Sequence, residues 1–173
     1  MMSVPDAERF LKQLKTKTAA FTAAAAVLVL DQLTKLAMRH ILLDGVPRDV
    51  VGSVVRITLR YNTGAAFSLG WGGPVILSVF TVLASIFLVR YMLKVEGRRK
   101  VLWLGVVLGG AVGNLTDRLI MGKVTDFIDI GLTGWRWPTF NVADIAICIG
   151  GIAVFFLFKG SKRLEVPTKE NQI

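Results

Sequence analysis

The chain contains one cysteine and one histidine among its 173 residues, and this scarcity excludes several kinds of site. A single cysteine, Cys148, cannot form an internal disulfide or a Cys-x-x-Cys metal or redox motif. A single histidine, His40, leaves a zinc site short of its usual ligands, so we expect no metal. A nucleophilic Cys148–His40 pair is conceivable, although a lone cysteine in an apolar run is ordinarily a small packing residue.

The sequence also has too few polar residues for an ordinary soluble domain. Hydrophobic residues make up 53% of the chain, and its mean hydropathy is +0.58. The formal net charge of +9 would suit a nucleic-acid partner, but the basic residues flank apolar runs and form no basic face with interleaved aromatic residues. We therefore predict a membrane protein that binds no nucleic acid.

Four apolar runs are each close to the length of about 20 residues with which a helix crosses a bilayer. They lie near residues 19–36, 74–93, 101–120 and 142–158. Lysine and arginine concentrate outside these runs, in an N-terminal tail (1–18), a loop (94–100) and a C-terminal tail (159–173). Because basic segments stay in the cytoplasm, both termini are predicted to be cytoplasmic. The fold class is therefore an α-helical polytopic membrane protein, a single membrane-embedded domain with four transmembrane helices.

The longest segment between the runs, residues 40–71, contains a stretch of alternating apolar and polar residues at positions 55–60. Such alternation is typical of β-strands with one buried face. We therefore expect a small sheet on the outer side that lies against the membrane surface.

Polar residues gather where the predicted topology places the outer end of the helices. Ionisable groups at membrane depth are costly and usually functional, so we interpret these residues as one site. Lys35 follows Asp31 by four residues on the same helix face, which predicts an ion pair whose lysine snorkels to the headgroups. Gly110 belongs to a small-residue face that is expected to pack tightly. The polar set comprises Asp31, Asn62, Asn114, Asp117, Arg118, Asp126, Asn141 and Asp144.

Acid–base chemistry in this chain depends on aspartates, since all four glutamates fall in segments predicted to be cytoplasmic. Our hypothesis is that Asp126 and Asp144 work as a pair. Asp126 lies in a short apolar patch where desolvation would raise its pKa, whereas Asp144 lies in the first helical turn after the predicted N-cap Asn141. Two such carboxylates can share a proton, one activating water while the other protonates a carbonyl. Taken singly, each aspartate could equally be a cap, a turn residue or a partner of Arg118.

Four separated blocks of sequence match the pattern of a known family. They are 31–35 (DQLTK), 62–67 (NTGAAF), 109–118 (GGAVGNLTDR) and a last block in two pieces, 124–127 (VTDF) and 140–144 (FNVAD). With these blocks in order between four apolar runs, the chain resembles the bacterial lipoprotein signal peptidases (signal peptidase II), which are aspartic proteases of the inner membrane. The resemblance extends over nearly the whole chain, from Asp31 to the fourth run.

The resemblance implies both an activity and a fold. The substrate would be a prolipoprotein with a diacylglyceryl-modified cysteine, cut on the N-terminal side of that cysteine without a metal or an organic cofactor. Four transmembrane helices would carry an outer β-cradle and a short periplasmic helix. We further expect a monomer in the bacterial inner membrane, in contact with membrane lipid, with its site near the outer face. The implied catalytic dyad is Asp126 and Asp144, and the implied supporting or substrate-binding residues are Asp31, Lys35, Asn62, Gly110, Asn114, Asp117, Arg118 and Asn141.

A small proton-coupled carrier is the alternative that uses the same aspartates. Two features of the sequence argue against it. The polar residues gather at one face instead of the midplane of the membrane, and no internal repeat joins the two halves of the chain.

Overall fold

The computed structural model describes residues 3–64 and 73–162, which form four long helices and one four-stranded sheet. All four helices are long and apolar enough to cross a membrane, so the predicted fold class is confirmed. No fifth helix occurs in these two ranges, and part of the segment that could hold the expected short helix, residues 65–72, lies outside them. The helices are α1 (Val4–Ile41), α2 (Gly73–Lys94), α3 (Arg98–Met121) and α4 (Val142–Lys162), and the strands are β1 (Arg48–Val51), β2 (Val55–Asn62), β3 (Val124–Leu132) and β4 (Trp135–Arg136).

Helix α1 is much longer than the apolar run within it. It has 38 residues, hence a length of about 57 Å at 1.5 Å per residue, well beyond the thickness of a bilayer. The helix begins directly after Ser3, whose side chain accepts a hydrogen bond from the backbone N–H of Asp6. Lys17 then ties it to the end of α2 by donating to the carbonyls of Met92 (2.5 Å) and Val95 (2.6 Å). Most of the predicted N-terminal tail is therefore a continuation of α1.

Helix α3 contacts all three other helices, and glycines let it approach two of them closely. A Cβ added to Gly109 would lie 2.5 Å from the carbonyl oxygen of Ala24 in α1. A Cβ added to Gly110 would lie 2.5 Å from the carbonyl oxygen of Ala143 in α4. Real Cβ atoms do not come this close to backbone oxygens, so only glycine permits these contacts. The predicted small-residue face is confirmed, and it brings α1 and α4 into close contact with α3.

The antiparallel sheet has the strand order β1-β2-β3-β4. Its strand β3 contacts both α1 and α3. Gly122, with a φ of 68°, ends α3 in the left-handed conformation and turns the chain into β3. On the far side of β3, Phe140 exchanges hydrogen bonds with Ile128 (2.8 and 3.0 Å), which places the start of α4 against the same strand. The predicted strand at 55–60 lies within β2, whereas the strand character of β3 was not predicted.

Candidate active site

Asp126 and Asp144 are linked through one residue, Asn141. Asp126 lies on β3 with 2% of its surface exposed, and Asp144 lies in the first turn of α4. The Asn141 side-chain amide donates to Asp126 Oδ1 (2.7 Å), and the Asn141 backbone N–H donates to Asp144 Oδ2 (3.2 Å). In return, Asn141 Oδ1 accepts from the backbone N–H of Asp144 (3.0 Å), which is the predicted N-cap of α4. The two aspartates of our hypothesis are therefore neighbours in one site.

Asn114 on α3 is a second residue that joins the two sides of this site. Its Oδ1 accepts from Lys35 Nζ (2.9 Å) and from the side-chain amide of Asn141 (3.1 Å). Since the oxygen is occupied by two donors, the NH₂ group of Asn114 points to Asp144 and donates to its Oδ1 (2.7 Å). Lys35 thus fixes the orientation of an amide that contacts a candidate catalytic carboxylate.

Lys35 is fully buried, so the prediction that its ammonium snorkels to the headgroups is wrong. The predicted ion pair with Asp31 is present at 2.8 Å, and Asp117 Oδ2 lies 3.4 Å from the same ammonium. Two carboxylates and the Asn114 oxygen surround the buried ammonium and take the place of water around it. The other oxygen of Asp31 accepts from the backbone N–H of Ala143 (2.9 Å) and so holds the N-terminus of α4 against α1.

Asp117 connects α3 to the first residues of β3. Its Oδ2 accepts from the backbone N–H of Thr125 (2.9 Å), and its Oδ1 accepts from the side chain of Gln32 (3.2 Å). Among the described residues its ion-pair partners are Lys35 and Arg39, so the alternative in which Asp117 pairs with Arg118 does not hold. Asp117 therefore serves the same buried cluster as Asp31 and Lys35.

Arg118 and Asn62 approach the pair from the side of the bundle that carries α2 and β2. Arg118 is half-buried and interacts electrostatically with Asp144, Asp126 and Asp117. It lines an apolar cavity of about 510 Å³, which also touches Pro74 and Ser78 of α2. Asn62 ends β2, where its Oδ1 accepts from the backbone N–H of Gly64 (2.8 Å) and its side chain hydrogen-bonds Asp126.

The environment of Asp126 favours its protonated form. Burial raises the pKa of Asp126 to about 6, and the nearby charge of Asp144 acts in the same direction. Hydrogen bonds from Asn141 and Asn62 and the positive charge of Lys35 lower this pKa but do not reverse the shift. The predicted direction of the shift is confirmed.

Three residues of the cluster were not predicted from the sequence: Gln32, Arg39 and Thr125. Arg39 could have been found, since Asp31, Lys35 and Arg39 follow one another at intervals of four residues on one face of α1. Gln32 donates to Asp31, Gly113 and Asp117 across α1 and α3, which the sequence does not indicate.

A further aspartate, Asp129, and the two residues of the conceivable nucleophilic pair lie apart from the cluster. Asp129 pairs with Arg136 (2.6 Å) and Thr58 (3.2 Å) inside the sheet. His40 is exposed in the last turn of α1, and Cys148 is exposed on α4. These two residues make no described contact that would support a nucleophilic pair.

Four apolar helices around a buried cluster of aspartates define a polytopic membrane protein with a buried polar site. A family model described as signal peptidase (SPase) II matches residues 23–159. The chain therefore belongs to the signal peptidase II family, and it is a multi-pass bacterial membrane protease. The family assignment favours the protease over the carrier.

Similar proteins agree with this assignment over most of their length. The chain is 40% identical over 147 residues to a lipoprotein signal peptidase of Janthinobacterium sp. (strain Marseille), covering 82% of this chain and 87% of that one. It is 42% identical over 134 residues to a lipoprotein signal peptidase of Paraburkholderia phytofirmans, covering 75% and 77%. A solved structure titled as a bacterial membrane enzyme at 2.3 Å resolution matches with a TM-score of 0.77 and 27% identity, covering 88% of this chain and 94% of that one.

Proposed function

We propose that this protein is an aspartic endopeptidase that removes signal peptides from prolipoproteins by cutting on the N-terminal side of a diacylglyceryl-modified cysteine. In this proposal Asp126 and Asp144 are the catalytic dyad, and water is the nucleophile. The observation that carries it is the shared hydrogen bonding of both carboxylates to Asn141, at 2.7 and 3.2 Å. Two carboxylates held by one residue can share a proton and act as acid and base.

The charges around the dyad support a single shared proton. If all the acidic side chains of the cluster were ionised, its negative charges would exceed its positive charges by one. One proton on the dyad makes the cluster neutral, and burying an unbalanced charge is strongly unfavourable. The carboxylates are Asp31, Asp117, Asp126 and Asp144, and the cations are Lys35, Arg39 and Arg118.

The hydrogen bonds suggest how the proton is distributed before water attacks. Asp144 accepts from the Asn114 amide and from the Asn141 backbone N–H, and it lies at the positive end of the α4 dipole. We assign Asp144 as the ionised base and Asp126, with its raised pKa, as the acid. Asp144 takes a proton from water as the oxygen attacks the scissile carbonyl carbon, and Asp126 protonates the carbonyl oxygen. As the tetrahedral intermediate collapses and the C–N bond breaks, Asp144 gives its proton to the leaving nitrogen and Asp126 takes a proton back from a hydroxyl of the intermediate, which restores one proton on the dyad.

The apolar cavity between α2 and α3 is an argument that the substrate carries a lipid. Its lining is almost entirely apolar, and Arg118 lies at its edge next to the dyad. Acyl chains attached to the cysteine could occupy this cavity, while Arg118 donates to a carbonyl oxygen of the substrate. The remaining supporting residues of the proposal act indirectly: Asp31, Lys35, Asn114 and Asp117 order the cluster, and Gly110 allows α4 to approach α3.

In this proposal the dyad lies near the outer face of the inner membrane. The basic residues of the described tail and loop support cytoplasmic termini by the positive-inside rule, which leaves the sheet and the dyad on the outer side. The protein is a monomer in this proposal, and the exposed apolar surfaces of α2 and α4 support its contact with membrane lipid.

A cleavage assay with matched substrates tests the proposal. The purified full-length protein in lipid is given a prolipoprotein peptide with a diacylglyceryl cysteine, and the same peptide with a free cysteine. We expect cleavage of the lipid-modified peptide only, with a product that begins at the modified cysteine by mass spectrometry. Folded protein that leaves a verified lipid-modified substrate uncut would contradict the proposal, and proton flux in liposomes would then favour the carrier.

Asn62→Ala is expected to move the alkaline limb of the pH profile to higher pH. The hydrogen bond from Asn62 stabilises the ionised form of Asp126, so its loss raises the pKa of Asp126 above its value of about 6. The acid then keeps its proton to higher pH, and the limb in kcat/KM shifts upward by about 0.5–1 unit. The measurement is kcat/KM between about pH 5 and 8. Thr63→Ala, at the exposed neighbouring position, is the control. An unmoved limb, or one moved to lower pH, would contradict this role.

A further inference from the structure

Thr125, the residue directly before Asp126, is held at every polar atom it has. Its side chain is fully buried. Its backbone N–H donates to Asp117 (2.9 Å), and its carbonyl oxygen accepts from the Asn141 amide (3.3 Å). Its hydroxyl oxygen accepts from Arg39 Nη1 (2.9 Å). Contacts from α1, α3 and the cap of α4 therefore converge on one residue of β3.

Arg39 lies in the last turn of α1, outside the sequence blocks that identify the family. Its side chain is 22% exposed, and its Nη1 lies 3.9 Å from Asp117 Oδ1 and 3.6 Å from Met121 Sδ. The guanidinium thus bridges the end of α1, the end of α3 and the start of β3. All three contacts are made by the same nitrogen, Nη1, so the end of one long side chain links these three elements.

We propose that Arg39 is a positioning residue for Asp126, which it places by holding the hydroxyl of Thr125. The inference rests on the proposed function of Asp126. Asp126 receives its hydrogen bond from Asn141 at 2.7 Å, so a small shift of β3 would weaken that bond and move the carboxyl away from Asp144. Displacing a catalytic group by about 1 Å costs up to about a hundredfold in rate.

The charges around Asp126 allow the effect of a shift in its position to be distinguished from the effect of a changed charge nearby. Lys35 and Arg118 are the cations that interact electrostatically with Asp126, and the guanidinium of the exposed Arg60 lies over Gly45. Loss of the Arg39 contact therefore acts mainly through the hydrogen bonds from Asn141 and Asn62, which weaken as β3 moves. The charged groups of the cluster and of the residues that flank or pair with Asp126 in the sheet include Asp31, Lys35, Arg39, Arg60, Asp117, Arg118, Lys123 and Asp144, and Asp129 lies further along β3.

The experiment combines Arg39→Met, Thr125→Val and the double variant in the full-length protein, assayed with the lipid-modified peptide. We expect each single variant to lower kcat about ten- to a hundredfold with little change in KM. The double variant should lose no more than the worse single variant, since both remove the same contact. The alkaline limb of kcat/KM should move to higher pH, because weaker hydrogen bonds to Asp126 raise its pKa.

Conservative variants keep the result interpretable if Arg39→Met folds poorly. Thr125→Ser retains the hydroxyl and should keep most of the activity, whereas Thr125→Val retains the volume and should not. Arg90→Met, at an exposed arginine of α2, should leave activity and pH profile unchanged. Equal activities of Thr125→Ser and Thr125→Val, or losses that add in the double variant, would overturn the inference. Variants that lower only the melting temperature, with an unmoved pH profile, would also overturn it, while cleavage by wild type would leave the proposed function intact.

Discussion

Asp126→Asn and Asp144→Asn are each expected to reduce cleavage at least about a thousandfold, because each removes one proton-transferring partner of the dyad. Asparagine keeps the size of the side chain and one acceptor oxygen. Asn141 can therefore still donate to position 126, and the Asn114 amide can still donate to position 144. The measurement is the rate of cleavage of the lipid-modified peptide per folded protein.

The stability of the Asp126→Asn variant should show whether its loss of activity comes from lost chemistry or from a damaged structure. Burial raises the pKa of Asp126 to about 6, so the folded protein binds this proton more tightly than the unfolded chain does. The stabilisation of the wild type by protonated Asp126 is therefore complete at low pH and is lost as the pH rises through about 6. Asp126→Asn carries no titrating group there and should be at least as stable as wild type at neutral pH. The variant should also lack this part of the pH dependence of the melting temperature.

Asp129→Asn is the matched control for both dyad variants. Asp129 lies on the same strand as Asp126 and is also buried, but it pairs with Arg136 and Thr58 inside the sheet. We expect some loss of stability and an activity per folded protein within a few-fold of wild type. Near wild-type cleavage by either dyad variant, or equal losses in the control, would show that the dyad has been assigned wrongly.

The membrane spans and the dyad candidates could be predicted because their signals are local in sequence. Apolar length marks each span, and the basic flanks set the predicted orientation. The length of α1 was missed for a related reason: its first turns are polar and have the composition of a tail. Contacts such as Arg9 with Glu96 and Lys17 with Met92, which join residues far apart in sequence, tie this part of the helix to the end of α2 and the loop after it.

The environment of Lys35 could not be predicted from its own segment. Its partner Asn114 is 79 residues further along the chain, and close approach of α3 to α1 and α4 depends on glycines such as Gly109 and Gly110. A lysine near a helix end ordinarily extends to water. Here tertiary packing closes that route and supplies three acceptors, so burial replaces snorkelling.

Lys35→Met is expected to destabilise the protein by about 3–5 kcal/mol, the usual cost of removing one partner from a buried ion pair. The variant leaves the carboxylates of Asp31 and Asp117 in a site without water exposure, where Nζ had been 2.8 and 3.4 Å away. Thermal unfolding in detergent measures the loss, and Lys12→Met, at an exposed position of α1, is the control.

The double variant Asp31→Asn with Lys35→Met separates charge balance from mere loss of packing. Asparagine can still accept from the backbone N–H of Ala143, and the double variant buries one negative charge fewer than Lys35→Met alone. We expect it to regain part of the lost stability. Activity should stay low even where the protein is folded, because the oxygen of Asn114 loses one of its two donors and the amide that contacts Asp144 is held less firmly. A Lys35→Met protein as stable and active as wild type would show that the buried ammonium neither balances the cluster nor orients Asn114.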